Sequence, residues 1–150
     1  LDLLFKSVVY TTSLIVPKML KNKWGRIINV TSVSVKEPLN YLVLSNSIRS
    51  AVVAWAKSLS VDVGKDGVTV NSILTGYFDT ERIKDLNKEK SKSLNISEDE
   101  VLEKMKSLVP INRLGKTEEY GYLVSFLSSD KAAYINGASI PIDGGLLKSY

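Results

Sequence analysis

Three short runs rich in β-branched residues, at 26–30 (Arg-Ile-Ile-Asn-Val), 68–74 and 139–142, are separated by stretches whose apolar residues recur every three or four positions. Short, near-continuous apolar runs are strands buried on both faces, and parallel strands need helical crossovers because no tight turn can join them. Leu44, Ile48, Val52, Trp55 and Leu59 keep the helical step. They predict a helix of about five turns from near Tyr41 to about Val63, ended by Gly64. A second helix is predicted over 117–128, with Thr117 as N-cap and Glu118 and Glu119 on its positive end. Before the first strand, apolar residues crowd from Leu4 to Leu20. That pattern predicts a helix buried on more than one side, with Pro17 in its last turn. Alternating strands and helices make the fold class α/β, with a doubly wound parallel sheet.

Between Thr80 and Pro110 the chain turns polar and lysine-rich, and Ser97-Glu98-Asp99-Glu100 marks a capping-box start to a short amphipathic helix. A charged excursion between strands suits either a lid or a solvated insertion. The composition, 44% hydrophobic and 24% charged, is that of a soluble globular piece. No Cys and no His are present. A disulfide framework, the usual soft metal sites and a Ser/His or Cys/His nucleophile pair are therefore excluded, and no metal site is expected. The opening Leu1–Phe5 segment lacks a basic region before it and reaches Lys6 at once. It resembles neither a signal peptide nor a membrane span, so a cytoplasmic location is expected. The net charge of +4 comes from dispersed lysines, in part interleaved with acidic residues. Such a pattern reads as a solvated face, not a nucleic-acid groove.

Three segments then fall in a recognisable order: Gly25-Arg26-Ile27-Ile28-Asn29-Val30-Thr31-Ser32, the stretch Val68 to Thr80, and Gly137-Ala138-Ser139-Ile140-Pro141-Ile142-Asp143-Gly144-Gly145. At this spacing, over essentially all 150 residues, the chain resembles the C-terminal half of a short-chain dehydrogenase/reductase of the 3-oxoacyl-carrier-protein-reductase-like branch. The resemblance implies a Rossmann-like sheet, NAD or NADP as cofactor, and a small hydroxy or oxo substrate such as a 3-oxoacyl thioester. It also implies a homo-oligomer, dimer or tetramer, and a substrate lid at about 80–110. No Gly-x-x-x-Gly-x-Gly turn occurs in the sequence, so the phosphate cradle at a helix N-terminus is absent. The 150 residues read as the second half of one domain, short of a whole by roughly 100 residues.

In the resembled family a Tyr donates the proton to the carbonyl, a Lys lowers its pKa and holds the nicotinamide ribose, and a Ser hydrogen-bonds the carbonyl oxygen. Ser32 matches that Ser. The Tyr position, thirteen residues on, is Ser45, and the Lys position four further is Arg49. The family's first-helix Asn aligns with Leu4. An alkyl hydroxyl is a far poorer acid than a phenol, and Arg keeps the charge but cannot shuttle a proton. Two readings follow: ordinary carbonyl reduction is lost, or an ordered water replaces the Tyr. Tyr41, one turn before Ser45, could supply a phenol or serve as a packing aromatic. The resemblance assigns cofactor contacts to Arg49, Gly76, Phe78 and Thr80, while Thr75 stands where the family has Pro. Asn71 is expected to tie strand to loop, and Asp143-Gly144-Gly145 to be structural. The first helix and the helix of Tyr41 to Val63 are expected to form a symmetric subunit interface. The alternative function is a catalytically degenerate family member acting as a binding or oligomer-partner subunit.

Overall fold

A computed structural model describes residues 2–40 and 42–149. Tyr41, and with it the expectation of a phenol at the helix mouth, lies outside the described residues. The helices are α1 (Ser7–Asn22), α2 (Val43–Gly64), α3 (Glu81–Leu94), α4 (Glu98–Ser107) and α5 (Thr117–Ser128); the strands are β1 (Gly25–Val30), β2 (Val68–Thr75) and β3 (Ser139–Ile142). The three strands form one parallel sheet in the order β1-β2-β3. Its register runs from Gly25↔Val68 to Val30↔Ile73 and from Ser72↔Ser139 to Thr75↔Ile142.

Strand β2 is the core of the molecule, and seven of its eight residues are buried. Because side chains alternate along a strand, Val68 and Val70 pack with Ala56 and Val63 toward α1 and α2. Ile73 points the other way, onto Leu127 and Ala132 beneath α5. Helices therefore cover both faces, as the α/β reading requires.

The first helix corrects the sequence reading. A wide turn over Asp2–Lys6 leads into α1, and no residue of either segment is buried. Tyr10, Leu14 and Ile15 face outward, as do Val43, Leu44 and Val61 of α2. The physical reason is that three strands cover one side of this layer, leaving the rest of an all-round apolar helix uncovered. The continuous 21-residue helix Asp2–Asn22 is long and apolar enough to cross a membrane by length and composition alone. Pro17 lies inside α1, which runs on to Asn22 and ends with Lys23 in the left-handed conformation, φ 50°.

Two further boundaries differ. The polar 80–110 stretch holds two helices, α3 as well as the expected α4. The α4 capping box is formed: Ser97 Oγ accepts from the Glu100 amide at 3.1 Å, and the Glu100 carboxylate accepts from the Ser97 amide at 2.9 Å. At α5, Thr117 is already helical and Lys116 is the N-cap, so the expected cap is displaced by one residue. The terminus is secured instead by Glu119, which accepts from the Lys116 amide at 2.7 Å and takes both guanidinium arms of Arg113 at 2.8 and 2.6 Å.

Those contacts, Arg113 first, hold the Glu119 carboxyl at about 2, well below the ordinary carboxylate range. A depressed folded-state pKa adds stability above the unfolded value, and that contribution disappears as pH falls through the folded value. The stability advantage over Glu119→Gln is thus expected to be full above about pH 5 and to vanish near pH 2 in urea titrations. An advantage independent of pH would show that the pair contributes through packing alone.

Candidate functional site

The carboxyl ends of the strands are where an open α/β sheet places its ligands, since the helices leave crevices there. Ser45 and Arg49 lie on one face of α2, four residues apart. The Arg49 Nε donates toward Ser45 Oγ at 3.4 Å, and a terminal nitrogen reaches the Val30 carbonyl at 3.5 Å. Both contacts are long, so the guanidinium keeps most of its donor capacity free. A phenol at position 45 would extend beyond this point; a serine hydroxyl stops against its own neighbour.

A cavity of about 100 Å³ opens beside Arg49, lined by Leu4 and Val8, by Asn29 to Thr31 at the end of β1, and by Val52. Leu4 supplies an apolar wall. Asn29, which sequence reasoning missed, also lines it: the residue is buried, and its Nδ2 has no partner among the described residues. Nothing local signals this, because an Asn inside a β-branched run looks like an ordinary interior polar residue.

Ser32 stands two residues past β1. Its Oγ accepts from the Ser34 amide at 3.1 Å and caps the short turn Val33–Val35. Among the described residues no hydrogen bond joins Ser32 to Ser45. The structure therefore brings Ser45 and Arg49 together and leaves Ser32 engaged in backbone capping.

At the end of β2, Gly76 donates to the Ile142 carbonyl at 3.0 Å. A Cβ on Gly76 would sit 2.6 Å from the Asp143 Cα, so the close approach of β3 already requires glycine there. The Phe78 side chain is buried, its ring edge-on to Tyr120, and so cannot present itself to a ligand. Its amide, however, donates to no carbonyl among the described residues. Thr80 caps α3, its Oγ1 accepting from the Ile83 amide at 3.4 Å. A nicotinamide cofactor fits these groups: the Phe78 amide is an uncommitted donor, and Arg49 offers a free cationic fork toward ribose hydroxyls.

A second cleft, about 430 Å³, lies between the loop after β1, the end of α4 and the C-terminal tail, with Val33, Leu39, Tyr77, Leu108, Leu146 and Leu147 on its walls. Burial pushes the Tyr77 phenol up. The tail is held by Glu37, whose Oε1 accepts from the Lys148 and Ser149 amides at 2.8 and 2.7 Å. Those backbone bonds lower the Glu37 pKa. The cleft is lined largely by apolar side chains and is bounded on one side by residues 146–148.

Asn71 ties strand to loop: its Nδ2 donates to the Ile135 carbonyl at 2.8 Å, and its Oδ1 accepts from the Ala138 amide at 3.0 Å. Asp143 closes the final turn by accepting from the Gly145 and Leu147 amides. No group of three or more His, Cys, Asp or Glu able to hold a metal is found among the described residues.

The family model described as enoyl-(acyl carrier protein) reductase matches residues 1–147. The NADPH-dependent reductase BacG of Bacillus subtilis (strain 168) is 33% identical over 131 residues, covering 87% of this chain and 51% of that protein. The 3-oxoacyl-[acyl-carrier-protein] reductase FabG of Buchnera aphidicola subsp. Schizaphis graminum (strain Sg) is 33% identical over 144 residues, 93% and 53% respectively. The crystal structure of YwfH, an NADPH dependent reductase involved in bacilysin biosynthesis, superimposes with a TM-score of 0.89 at 29% identity over 95% of this chain and 55% of its own. The chain spans about half the length of the curated relatives it matches.

Proposed function

The chain belongs to the enoyl-(acyl carrier protein) reductase family of short-chain dehydrogenases/reductases, and from that membership we propose that it forms the C-terminal half of an NAD(P)-dependent oxidoreductase acting on a small hydroxy or oxo substrate. A 3-oxoacyl thioester is the substrate class we favour, because the cleft walled by Leu39, Leu108 and Leu147 can take an acyl chain. One observation carries the reading: Arg49, with its donors barely engaged, and the free Phe78 amide sit at the carboxyl ends of neighbouring strands. A nicotinamide cofactor supplies the hydride when bound. The chain's own part is to orient it, through Arg49 on the ribose and through the backbone from Gly76 to Thr80. The segment 80–110 acts as the lid.

Residues 1–150 are proposed as one half-domain, the Gly-rich cradle coming from the other half. The outward apolar faces of α1 and α2 support a homo-oligomer, with these helices as the interface, in the cytoplasm. The family match includes α1 from residue 1, which favours subunit packing over a bilayer as its destination.

A second reading has its own support. Ser45 replaces a phenol and Leu4 replaces an amide, so a degenerate subunit that binds without turning over would keep this geometry too.

Titration calorimetry with NADPH tests the proposal. The chain joined to a Gly-rich coenzyme half is expected to bind, the 150 residues alone to bind weakly or not at all, and Arg49→Met to weaken binding by roughly tenfold or more, the scale of a charge-assisted hydrogen bond. Equal tight binding by the 150 residues would refute it. Light scattering on the same preparation should give a dimer or tetramer; a monomer at micromolar concentration removes the interface.

A further inference from the structure

The turn that follows β2 is gripped from one side chain on another element. Alternation along β2 turns Thr75, like Ile73, toward the face covered by α5. There the Tyr120 hydroxyl meets Thr75 Oγ1 at 3.0 Å. The ring of the same Tyr120 receives Phe78 edge-on, centroids 5.3 Å apart and planes at 81°. Behind Phe78 the backbone of Gly115 completes the seat. Gly115 donates to the Tyr77 carbonyl and accepts from the Asp79 amide, both at 2.9 Å. A Cβ on Gly115 would come within 2.6 Å of the Phe78 ring.

We propose that Tyr120 is a positioning residue: by spanning Thr75 and Phe78 it fixes the coenzyme-facing turn, a stiffness that the locked φ of a proline at position 75 would supply by other means. It rests on the reading above, that this turn meets the nicotinamide. A phenylalanine at 120 would pack on Phe78 equally well, so the hydroxyl is there for Thr75. The two hydroxyls are half-buried, and each satisfies the other. Burial raises the Tyr120 pKa, while the Thr75 contact and the Arg49 charge draw it back, so the phenol stays protonated at neutral pH and is held as a hydrogen-bonding group.

The pairing is mutual, which gives the test its form. Removing either hydroxyl alone leaves the other without its partner, whereas removing both restores balance. A proline at 75 breaks no bond to β1, whose register with β2 ends at Ile73.

Amide hydrogen exchange on the chain reads the turn directly, at the Gly76, Asp79 and Gly115 amides. Tyr120→Phe is expected to speed their exchange about threefold to tenfold, the worth of one ordinary hydrogen bond, and to leave the central β2 amides unchanged. Thr75→Pro combined with Tyr120→Phe should return the turn toward its original protection. Unchanged exchange, a uniform rise across β2 and α5, or a double variant no better than Tyr120→Phe each overturns the proposal. In the protein carrying a coenzyme half, NADPH affinity should fall with Tyr120→Phe by a similar factor and recover in the double variant. Quickened exchange with unaltered affinity also overturns it. Failure of the unmodified protein to bind NADPH at all overturns the proposed function instead, and exchange alone then decides whether Tyr120 holds the turn.

Discussion

A protein carrying Ser45→Tyr with Arg49→Lys, joined to a coenzyme-binding half, is expected to reduce a generic oxo substrate about 10²- to 10⁴-fold faster than its parent, the usual yield of positioned general acid–base assistance. The two positions already face each other on α2, with Arg49 Nε 3.4 Å from Ser45 Oγ. The exchange therefore places a phenol and an ammonium on one helix face. On the degenerate-subunit reading, what the parent lacks is a group that gives up a proton near neutral pH. A serine hydroxyl does not, and a guanidinium stays charged throughout.

The opposite result is equally informative. If the parent already turns over such a substrate quickly and the double variant is slower, then Ser45, Arg49 or a water held near them is the working device. The degenerate-subunit reading then fails. The cavity beside Arg49 is where such a water would find a donor, the guanidinium itself. Tyr41→Phe in the same series tests that phenol: a fall of about tenfold or less, about 1.4 kcal/mol, leaves Tyr41 a packing residue.

Strands and the helices between them were readable because their signals are local. Ser139–Ile142 and Thr117–Ser128 fall where the β-branched run and the apolar period put them. Helix α2 begins two residues later than the period suggests and includes Gly64. Helix α3 was not legible: Ile83 and Leu86 are too few to mark a period among Lys, Glu and Ser, and a Thr80 cap with strong helix formers carries it instead. The exposure of α1 leaves no sequence signal for a different reason. An apolar period reports what a helix needs covered, not whether this chain covers it. At the site, the four-residue spacing of Ser45 and Arg49 was enough to place them together. The contacts that hold the loops were beyond sequence: Tyr120 reaches Thr75 across 45 residues, and Glu37 reaches Lys148 and Ser149 across more than a hundred. Neither pairing leaves any periodic trace.

Replacing Asn71 by Leu, close in volume but without the amide, is expected to destabilise the fold by about 1–3 kcal/mol, since it removes two side-chain hydrogen bonds worth about 0.5–1.5 kcal/mol each. Asn71 is 1% exposed, and both ends of its side chain are committed to one connection, the Ile135 carbonyl and the Ala138 amide. That connection is what delivers β3 to the sheet. Gly137 donates to the Val70 carbonyl at 2.9 Å, the Ala138 carbonyl accepts from Ser72 at 2.9 Å, and the β3 register begins at the next residue, Ser139. The Ile135 carbonyl and the Ala138 amide are only partly buried, so the loss is that of the two bonds and not of full desolvation. Domains hold only about 5–15 kcal/mol in all. The loss would thus take a large share, and it would loosen the Ile142–Gly76 contact that seats the turn at the site. Urea denaturation measures it; a change below about 0.5 kcal/mol, the range of an ordinary surface substitution, would show that the loop to β3 is held by other means.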